Sequence, residues 1–204
     1  MTLTIQEISR KLLHLMALLM PACILYLPRE APFILGLIFF AMISVELIRF
    51  RFPFAQGLFE RTFVAMLRKE EFRTLTGATW IILSAFLCAL LFSRRPHIPF
   101  MALSMFILGD SAAAIVGQSV GRVRIGKKTL EGSLACFGTC LFLCYVVFPF
   151  LPGVDTKILR FGVIWVSSLV VTLGELIPIR IKGYRLNDNL SVPLMASFAI
   201  FLLE

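Results

Sequence analysis

Seven apolar runs separated by short charged segments follow one another along the chain, and they constrain its fold more than any other feature. The runs cover residues 12–27, 33–48, 75–92, 98–118, 130–150, 158–177 and 190–203. A transmembrane helix needs about 20 predominantly apolar residues to cross the hydrocarbon core of a bilayer. With 59% apolar and 16% charged residues, the 204-residue chain also lies outside the usual composition of soluble domains. The sequence therefore predicts an all-α bundle of about seven transmembrane helices, forming one membrane-embedded domain over residues 1–204.

The basic residues between these runs predict how the chain is oriented. Of the 20 lysines and arginines, 15 fall in segments that share a side with the N-terminus and 5 in the others. Because cytoplasmic segments carry the excess of lysine and arginine, the N-terminus is predicted to be cytoplasmic. In the longest polar stretch, Phe59 and Phe63 share one helical face and Arg61 lies elsewhere, which predicts an amphipathic surface helix over residues 54–70. The small size of the chain favours a bacterial cytoplasmic membrane.

The net charge of +8 and the five cysteines exclude two classes of function. The basic residues lie in short loops rather than in a soluble domain, so nucleic acid is not an expected partner. The cysteines lie within apolar runs without a C-x-x-C pair, and His14 and His97 are far apart in sequence. We therefore interpret the cysteines as helix-packing residues and expect no zinc site.

Carboxylates within or beside the apolar runs predict where the chemistry takes place. They are Glu46, Asp110, Glu131, Glu175 and Asp188, all at or near the predicted cytoplasmic face. An ionised carboxylate is costly in hydrocarbon and is a functional candidate unless it is paired. Glu46 has Arg49 three residues later as a local partner, whereas Asp110 has none in its own segment. We also expect Gly109-Asp110 to interrupt the fourth helix, and Asp188 or Asn189 to cap the last one.

The segment over residues 117–133 has the composition of a phosphate-binding loop. Two lysines, a hydroxyl and two glycines precede a helix start, where free N–H groups and partial positive charge favour phosphate. Lys128 stands where a P-loop requires Ser or Thr, and no buried strand precedes it, so a P-loop NTPase is excluded. Asp110 or Glu131 is expected to hold Mg²⁺, whose usual ligands are carboxylates, waters and phosphates. The small residues from Gly109 to Gly121 also fit a helix-packing face, and both interpretations remain open.

Several motifs occur in a fixed order along almost the whole chain. They are Arg10-Lys11-x-x-His14, Glu46-x-x-Arg49, Thr76-Gly77-Ala78-Thr79-Trp80, Gly109-Asp110, Lys127-Lys128-Thr129-x-Glu131-Gly132-Ser133, Glu175 and Asn187-Asp188-Asn189-Leu190-Ser191-Val192-Pro193. Together they resemble the polyprenol kinase family, which includes dolichol kinase, phytol kinase and the CTP-dependent diacylglycerol kinase. The resemblance implies a polytopic membrane enzyme that transfers the γ-phosphoryl group of CTP to a lipid alcohol such as dolichol, polyprenol or phytol, with Mg²⁺ as cofactor.

Combined with the residue chemistry, the resemblance predicts a set of site residues. The predicted catalytic residues are Asp110, Glu131 and Lys128, with Asp110 and Glu131 as metal ligands. The predicted nucleotide-binding residues are Gly117, Gly121, Gly126, Lys127, Lys128, Thr129, Gly132, Ser133, Asp188 and Asn189. Residues of secondary rank are Arg10, Lys11, His14, Glu46, Thr76, Glu175 and Asn187. Two departures from the family pattern bear on nucleotide preference: the spacer between Gly121 and Lys127 is short, and Asn187 stands where an aspartate is expected.

Two other functions are compatible with a membrane protein that carries buried acids. A CTP-dependent cytidylyltransferase that makes a CDP-lipid needs the same carboxylates and basic loops, but it releases pyrophosphate instead of CDP. A small transporter uses buried carboxylates near the midplane and often has paired repeats. The carboxylates here gather at one face, and the sequence shows no internal repeat, which favours the kinase. The sequence does not determine the lipid chain or the oligomeric state.

Overall fold

The computed structural model describes residues 14–63, 67, 69–181 and 184–204, and within these ranges the chain forms eight α-helices and two β-hairpins. The helices are α1 (Leu19–Tyr26), α2 (Ala31–Arg51), α3 (Pro53–Phe63), α4 (Gly77–Leu91), α5 (His97–Ser119), α6 (Leu130–Phe142), α7 (Phe161–Leu176) and α8 (Asp188–Leu203). The antiparallel hairpins are β1 (Arg124–Ile125) with β2 (Lys128–Thr129), and β3 (Arg180–Ile181) with β4 (Tyr184–Arg185). Because each strand has only two residues, the predicted all-α class is confirmed.

The apolar helices occupy the positions of the predicted membrane spans. Among the described residues, three helices are long and apolar enough to cross a membrane by length and composition: Ala31–Arg51, His97–Ser119 and Leu130–Phe150. The last of these is α6 continued by a π-helical turn and a 3₁₀ turn. Four more are apolar but shorter: His14–Tyr26, Gly77–Leu91, Phe161–Leu176 and Asp188–Leu203. The chain therefore has the architecture of a helical membrane protein, while seven crossings and their orientation stay predictions.

Helix α5 is the centre of the bundle. It contacts α1, α6, α7 and α8, and its Met101, Leu103 and Met105 side chains are completely buried. Helix α2 lies at the periphery, where Phe33 and Leu37 are exposed. Exposed apolar side chains are expected where a helix faces lipid rather than water. The polar groups of the site are thus carried by helices whose inner faces are tightly packed and whose outer faces are apolar.

Small residues bring α5 and α6 unusually close together. A Cβ atom added at Gly109 would lie 2.8 Å from the Cys136 sulfur, and one added at Gly132 would lie 2.7 Å from the Ala113 carbonyl oxygen. Helix α5 runs without a break from His97 to Ser119, so the predicted interruption at Gly109-Asp110 is wrong. Gly109 is a packing position because only a hydrogen fits there, and the packing interpretation of the small-residue run and of Cys136 is confirmed.

Two local predictions need correction. In the surface segment predicted as a helix over 54–70, the structure describes α3 over Pro53–Phe63 and a 3₁₀ turn over Lys69–Phe72, so residues 69–70 are not α-helical; residues 64–66 and 68 lie outside the described part. Phe59 and Phe63 do share a face, with their ring centroids 4.9 Å apart. Helix α8 is capped by Asn187, whose side chain accepts from the Asn189 N–H at 3.0 Å, and not by Asp188 or Asn189.

Candidate functional site

The β1–β2 hairpin carries the predicted phosphate-binding lysines to the start of α6. Gly126 occupies its turn with a φ of +61°, a left-handed conformation that favours glycine. Thr129 ends the hairpin and caps α6, since its hydroxyl accepts from the Gly132 N–H at 3.2 Å. The Leu130 N–H donates to the Val123 carbonyl oxygen at 2.9 Å. Two helix-start N–H groups therefore have partners within the protein, and the lysines remain as the main groups for attracting phosphate.

Lys128 joins three elements that are far apart in sequence. Its Nζ lies 2.5 Å from Oε1 of Glu175 at the end of α7 and also donates to the Glu175 carbonyl oxygen. The same Nζ lies 3.8 Å from Oδ2 of Asp188 at the start of α8. The Lys128 side chain is 28% exposed, so it is held by carboxylates on one side and open on the other. A lysine in this position can bind an incoming phosphate without leaving its carboxylate partners entirely.

Glu175 is more buried than any other carboxylate of this cluster, with 5% of its side-chain surface exposed. Only Oε1 is bonded to Lys128, and Oε2 has no hydrogen-bond partner within the described parts of the chain. A buried oxygen left without a donor costs about 1–3 kcal/mol, and more when the group is charged. The α7 backbone packs closely against α8 beside it, because a Cβ at Gly174 would lie 3.0 Å from the Val192 side chain. Sequence reasoning ranked Glu175 second, and the structure places it at the middle of the cluster.

Asp110 belongs to the same polar region but has a different environment. Its Oδ2 lies 3.5 Å from Nε2 of His14, so its partner comes from another segment, as the lack of a local partner indicated. The His14 ring packs edge-on against Phe106 of α5, with centroids 6.1 Å apart. The negative charge of Asp110 also acts on Glu175 electrostatically. Asp110 is about one-third exposed, which leaves its carboxylate accessible to a ligand.

The two predicted metal ligands, Asp110 and Glu131, have different roles in the structure. Glu131 Oε1 and Oε2 both accept from the Val123 N–H, at 3.1 and 3.3 Å, so Glu131 closes the loop before α6. Across the described residues, no group of three or more histidine, cysteine, aspartate or glutamate side chains is arranged to hold a metal. Mg²⁺ bound to a nucleotide needs only one or two protein carboxylates besides phosphate oxygens and water. Asp110 and Asp188, both partly exposed, fit that requirement better than Glu131.

A second polar cluster, formed by Glu46, Arg49, Thr76 and Thr79, ties α2 to α4. Glu46 Oε2 pairs with Arg49 Nε at 2.6 Å, which confirms the predicted local ion pair. Glu46 Oε1 accepts from the Thr76 N–H at 3.0 Å, the Thr76 hydroxyl at 2.8 Å and the Thr79 hydroxyl at 2.9 Å. Arg49 Nη2 also donates to the Thr74 carbonyl oxygen at 2.7 Å. Glu46 and Thr76, both ranked second from the sequence, are thus parts of a buried structural junction.

The two clusters are linked through the helix starts. The Thr76 hydroxyl caps α4, and the next residue, Gly77, accepts from the Asn189 Nδ2 group of α8 at 2.9 Å through its carbonyl oxygen. Asn189 therefore holds α8 against α4 and positions Asp188 beside Lys128. Ser133 donates to the Thr129 carbonyl oxygen, and a Cβ at Gly117 would lie 2.7 Å from the Thr129 hydroxyl, so these residues shape the hairpin. Arg10 and Lys11 lie outside the described residues.

Comparison with known proteins identifies the family of the chain. An uncharacterized protein of Rickettsia prowazekii is 30% identical over 195 residues, which are 92% of this chain and 90% of that protein. CTP-dependent diacylglycerol kinase 1 of Saccharomyces cerevisiae is 27% identical over 175 residues, and a dolichol kinase of Arabidopsis thaliana is 28% identical over 200 residues. The matched regions are 78% of this chain and 59% of the yeast kinase, and 91% of this chain and 33% of the plant kinase.

No protein-family model and no solved structure matches the chain. The relatives nevertheless match most of its length and include proteins named for phosphorylation of three kinds of lipid alcohol: diacylglycerol, dolichol and phytol. Of the motifs that carry the resemblance, the one that contains Lys128 meets Glu175 and the one that contains Asp188. The chain therefore belongs to the polyprenol kinase family of membrane lipid kinases.

Proposed function

We propose that the protein is a CTP-dependent lipid kinase that transfers the γ-phosphoryl group to the hydroxyl of a polyisoprenoid or related lipid alcohol. The products are the lipid monophosphate and CDP. The observation that carries this proposal is the position of Lys128, which stands partly exposed among Glu175, Asp188 and the α6 start at one end of an apolar bundle. The names of the relatives support CTP as donor and a lipid alcohol as acceptor.

The residues around Lys128 supply what phosphoryl transfer requires from a protein. The transferred group passes through a loose transition state, so catalysis depends on in-line positioning and neutralisation of charge. Lys128 and Lys127 bind the triphosphate, and the hairpin with its Gly126 turn holds them at the α6 start. Asp110 and Asp188 are the carboxylates suited to hold Mg²⁺, which neutralises phosphate charge when it is bound with the nucleotide. The lipid chain stays among the apolar helix faces, with its hydroxyl at the polar cluster.

The location follows from the same arrangement. The basic loops and the carboxylates gather at one end of the bundle, and the predominance of basic residues in those loops predicts that this end is cytoplasmic. CTP is then available from the cytoplasm, while the alcohol arrives from the bilayer. We place the protein in a bacterial cytoplasmic membrane, crossed seven times.

The test uses the purified full-length chain in lipid nanodiscs with Mg²⁺ and γ-labelled CTP or ATP. A panel of dolichol, undecaprenol, phytol, farnesol and diacylglycerol is offered separately. We expect label in one or more lipid alcohols with CTP as donor, and we expect an Asp110→Ala variant to lose that transfer. The labelled lipid names the acceptor, and the labelled nucleotide names the donor.

The other outcomes separate the alternative functions. Release of labelled pyrophosphate with formation of a CDP-lipid would indicate a cytidylyltransferase. Saturable CTP binding without turnover on any alcohol, at several lipid compositions, would contradict the kinase proposal and favour binding or transport. Equal transfer by wild type and the Asp110→Ala variant would remove Asp110 from the site while leaving the kinase function in place.

A further inference from the structure

The two carboxylate oxygens of the buried Glu175 side chain have different environments. Oε1 is 2.5 Å from the Lys128 ammonium, whereas none of the residues that the structure describes donates to Oε2. Only 5% of the Glu175 side-chain surface is exposed. The fold is able to satisfy a buried glutamate fully, as Glu46 with its donors on both oxygens demonstrates. A buried carboxylate oxygen without a donor among these residues is a position where a ligand can supply the donor.

The chemistry of the position limits what that ligand is. A phosphate oxygen would be repelled by a carboxylate oxygen, and Asp110 and Asp188 add further negative charge. The ligand is therefore a cation or a group that presents an O–H or N–H, and the described residues form no group of three or more side chains that could hold a metal. Leu173 and Ile177 of the same helix end are exposed on the apolar outside of the bundle. A hydroxyl at the end of an apolar chain is the donor that reaches such a position from the bilayer.

Lys128, which contacts Glu175, adds a group that phosphoryl transfer to a bound hydroxyl requires. Nucleophilic attack by an alcohol on a phosphoryl group needs a cation beside the phosphate and a proton acceptor beside the hydroxyl. Lys128 and Glu175 present these two groups in direct contact. Glu131 is less suited, because both of its oxygens accept from the Val123 N–H, and the partly exposed Asp110 and Asp188 are the carboxylates assigned to Mg²⁺.

We propose that Glu175, through Oε2, binds the hydroxyl of the lipid alcohol and accepts its proton during phosphoryl transfer. In this step the alcohol oxygen forms a bond to the γ-phosphorus, the bond from that phosphorus to the β,γ-bridging oxygen breaks, and CDP leaves. The proton passes from the alcohol to Glu175 and then to solvent. This inference rests on the proposed kinase function and assigns its acceptor side.

The experiment compares wild type with the isosteric variant Glu175→Gln in nanodiscs, using labelled CTP. Acceptors are one straight-chain primary alcohol and its 2-fluoro and 2,2-difluoro derivatives, whose hydroxyls are increasingly acidic. A general base contributes about 100- to 10,000-fold, so we expect a loss of kcat of that size on the unfluorinated alcohol. The ratio of wild-type to variant kcat should fall as acceptor acidity rises, because an acidic hydroxyl needs the base less.

The matched control is Asp188→Asn, which removes the same charge beside the same lysine. It is expected to alter KM for CTP and to give a ratio of rates that does not vary with acceptor acidity. A ratio that stays constant for Glu175→Gln as well would overturn the proposal, because a purely structural loss does not depend on the acceptor.

A second variant keeps the test valid if Glu175→Gln does not fold. Glu175→Asp retains a carboxylate that can pair with Lys128. Its side chain is shorter by one methylene, so the carboxylate lies farther from the proposed position of the lipid hydroxyl. We expect a lower kcat than wild type, and full kcat would overturn the proposal. If wild type itself phosphorylates no alcohol, the kinase function fails and not only the role of Glu175.

Discussion

Glu46 and Glu175 are both buried glutamates paired with a basic residue, yet the fold treats them in opposite ways. The Glu46–Arg49 pair has side chains that are each 1% exposed, and donors reach both carboxylate oxygens. Glu175 pairs through one oxygen with Lys128, which is 28% exposed. The first pair is closed to ligands, whereas in the second Lys128 is partly exposed and Glu175 Oε2 accepts from none of the described residues.

The choice of cation follows from these environments. The planar guanidinium of Arg49 donates in several directions at once, reaching Glu46 as well as the Glu71 and Thr74 carbonyl oxygens, and it stacks over the Phe59 ring at 4.5 Å. Lys128 has a compact ammonium group on a flexible stem, which can turn toward a phosphate. An arginine that donates to several protein acceptors stabilises a junction between helices. A partly exposed lysine, which can still donate to a ligand, suits a binding site. Within one bundle, the Glu46–Arg49 pair therefore holds helices together, whereas the Glu175–Lys128 pair is suited to binding a ligand.

The largest expected effect is on stability, at the closed pair. Arg49→Met leaves Glu46 buried without its cation, and breaking a buried pair in this way costs about 3–5 kcal/mol. The free energy of unfolding in mixed micelles would measure the loss. The matched double variant, Glu46→Gln with Arg49→Met, should recover part of it because no charge is then left unpaired. Unchanged stability of Arg49→Met would show that the pair is not the structural junction described above.

The next effect is on activity, at the open pair. Lys128→Ala should lower kcat about 100- to 1,000-fold, the usual result of removing one group that stabilises transition-state charge. The unfolding free energy should fall as well, because Glu175 is then left buried without its cation, so kcat is compared at equal amounts of folded protein. Radiolabel transfer from CTP measures the first quantity, and micelle unfolding measures the second. Arg124→Ala on the same hairpin is the matched control, since Arg124 is exposed and has no assigned role; an equal loss there would mean that general positive charge matters rather than Lys128.

The smallest expected effect is on stability, when a single hydrogen-bond donor to Glu46 is removed. Thr76→Val keeps the shape of the side chain but removes both the α4 cap and the hydroxyl donor, which should cost about 1–2 kcal/mol in unfolding free energy. Thr139→Val is the control, because the Thr139 hydroxyl donates to the Ala135 carbonyl oxygen of its own helix. A loss in Thr139→Val as large as in Thr76→Val would contradict the importance of the cluster.

Sequence reasoning succeeded where the relevant physics is local. The apolar runs predicted the positions of the helices, because the length and apolarity needed to cross a bilayer are properties of a continuous segment. The Glu46–Arg49 pair was also predictable, since residues three apart face each other on a helix. The interruption expected at Gly109 failed because a glycine signals either a break or a close approach, and only the facing Cys136 distinguishes them.

The candidate site was predictable in its ingredients but not in its arrangement. The sequence by itself determined an apolar helical chain, the acids and lysines at one end of it, and the hairpin residues that lead into α6. Only the tertiary structure decided that Lys128 contacts Glu175, 47 residues away in sequence, and that Asp110 contacts His14. Such pairings depend on how α5, α6, α7 and α8 pack. Packing is set by side-chain shapes across helices, which no single segment of the chain contains.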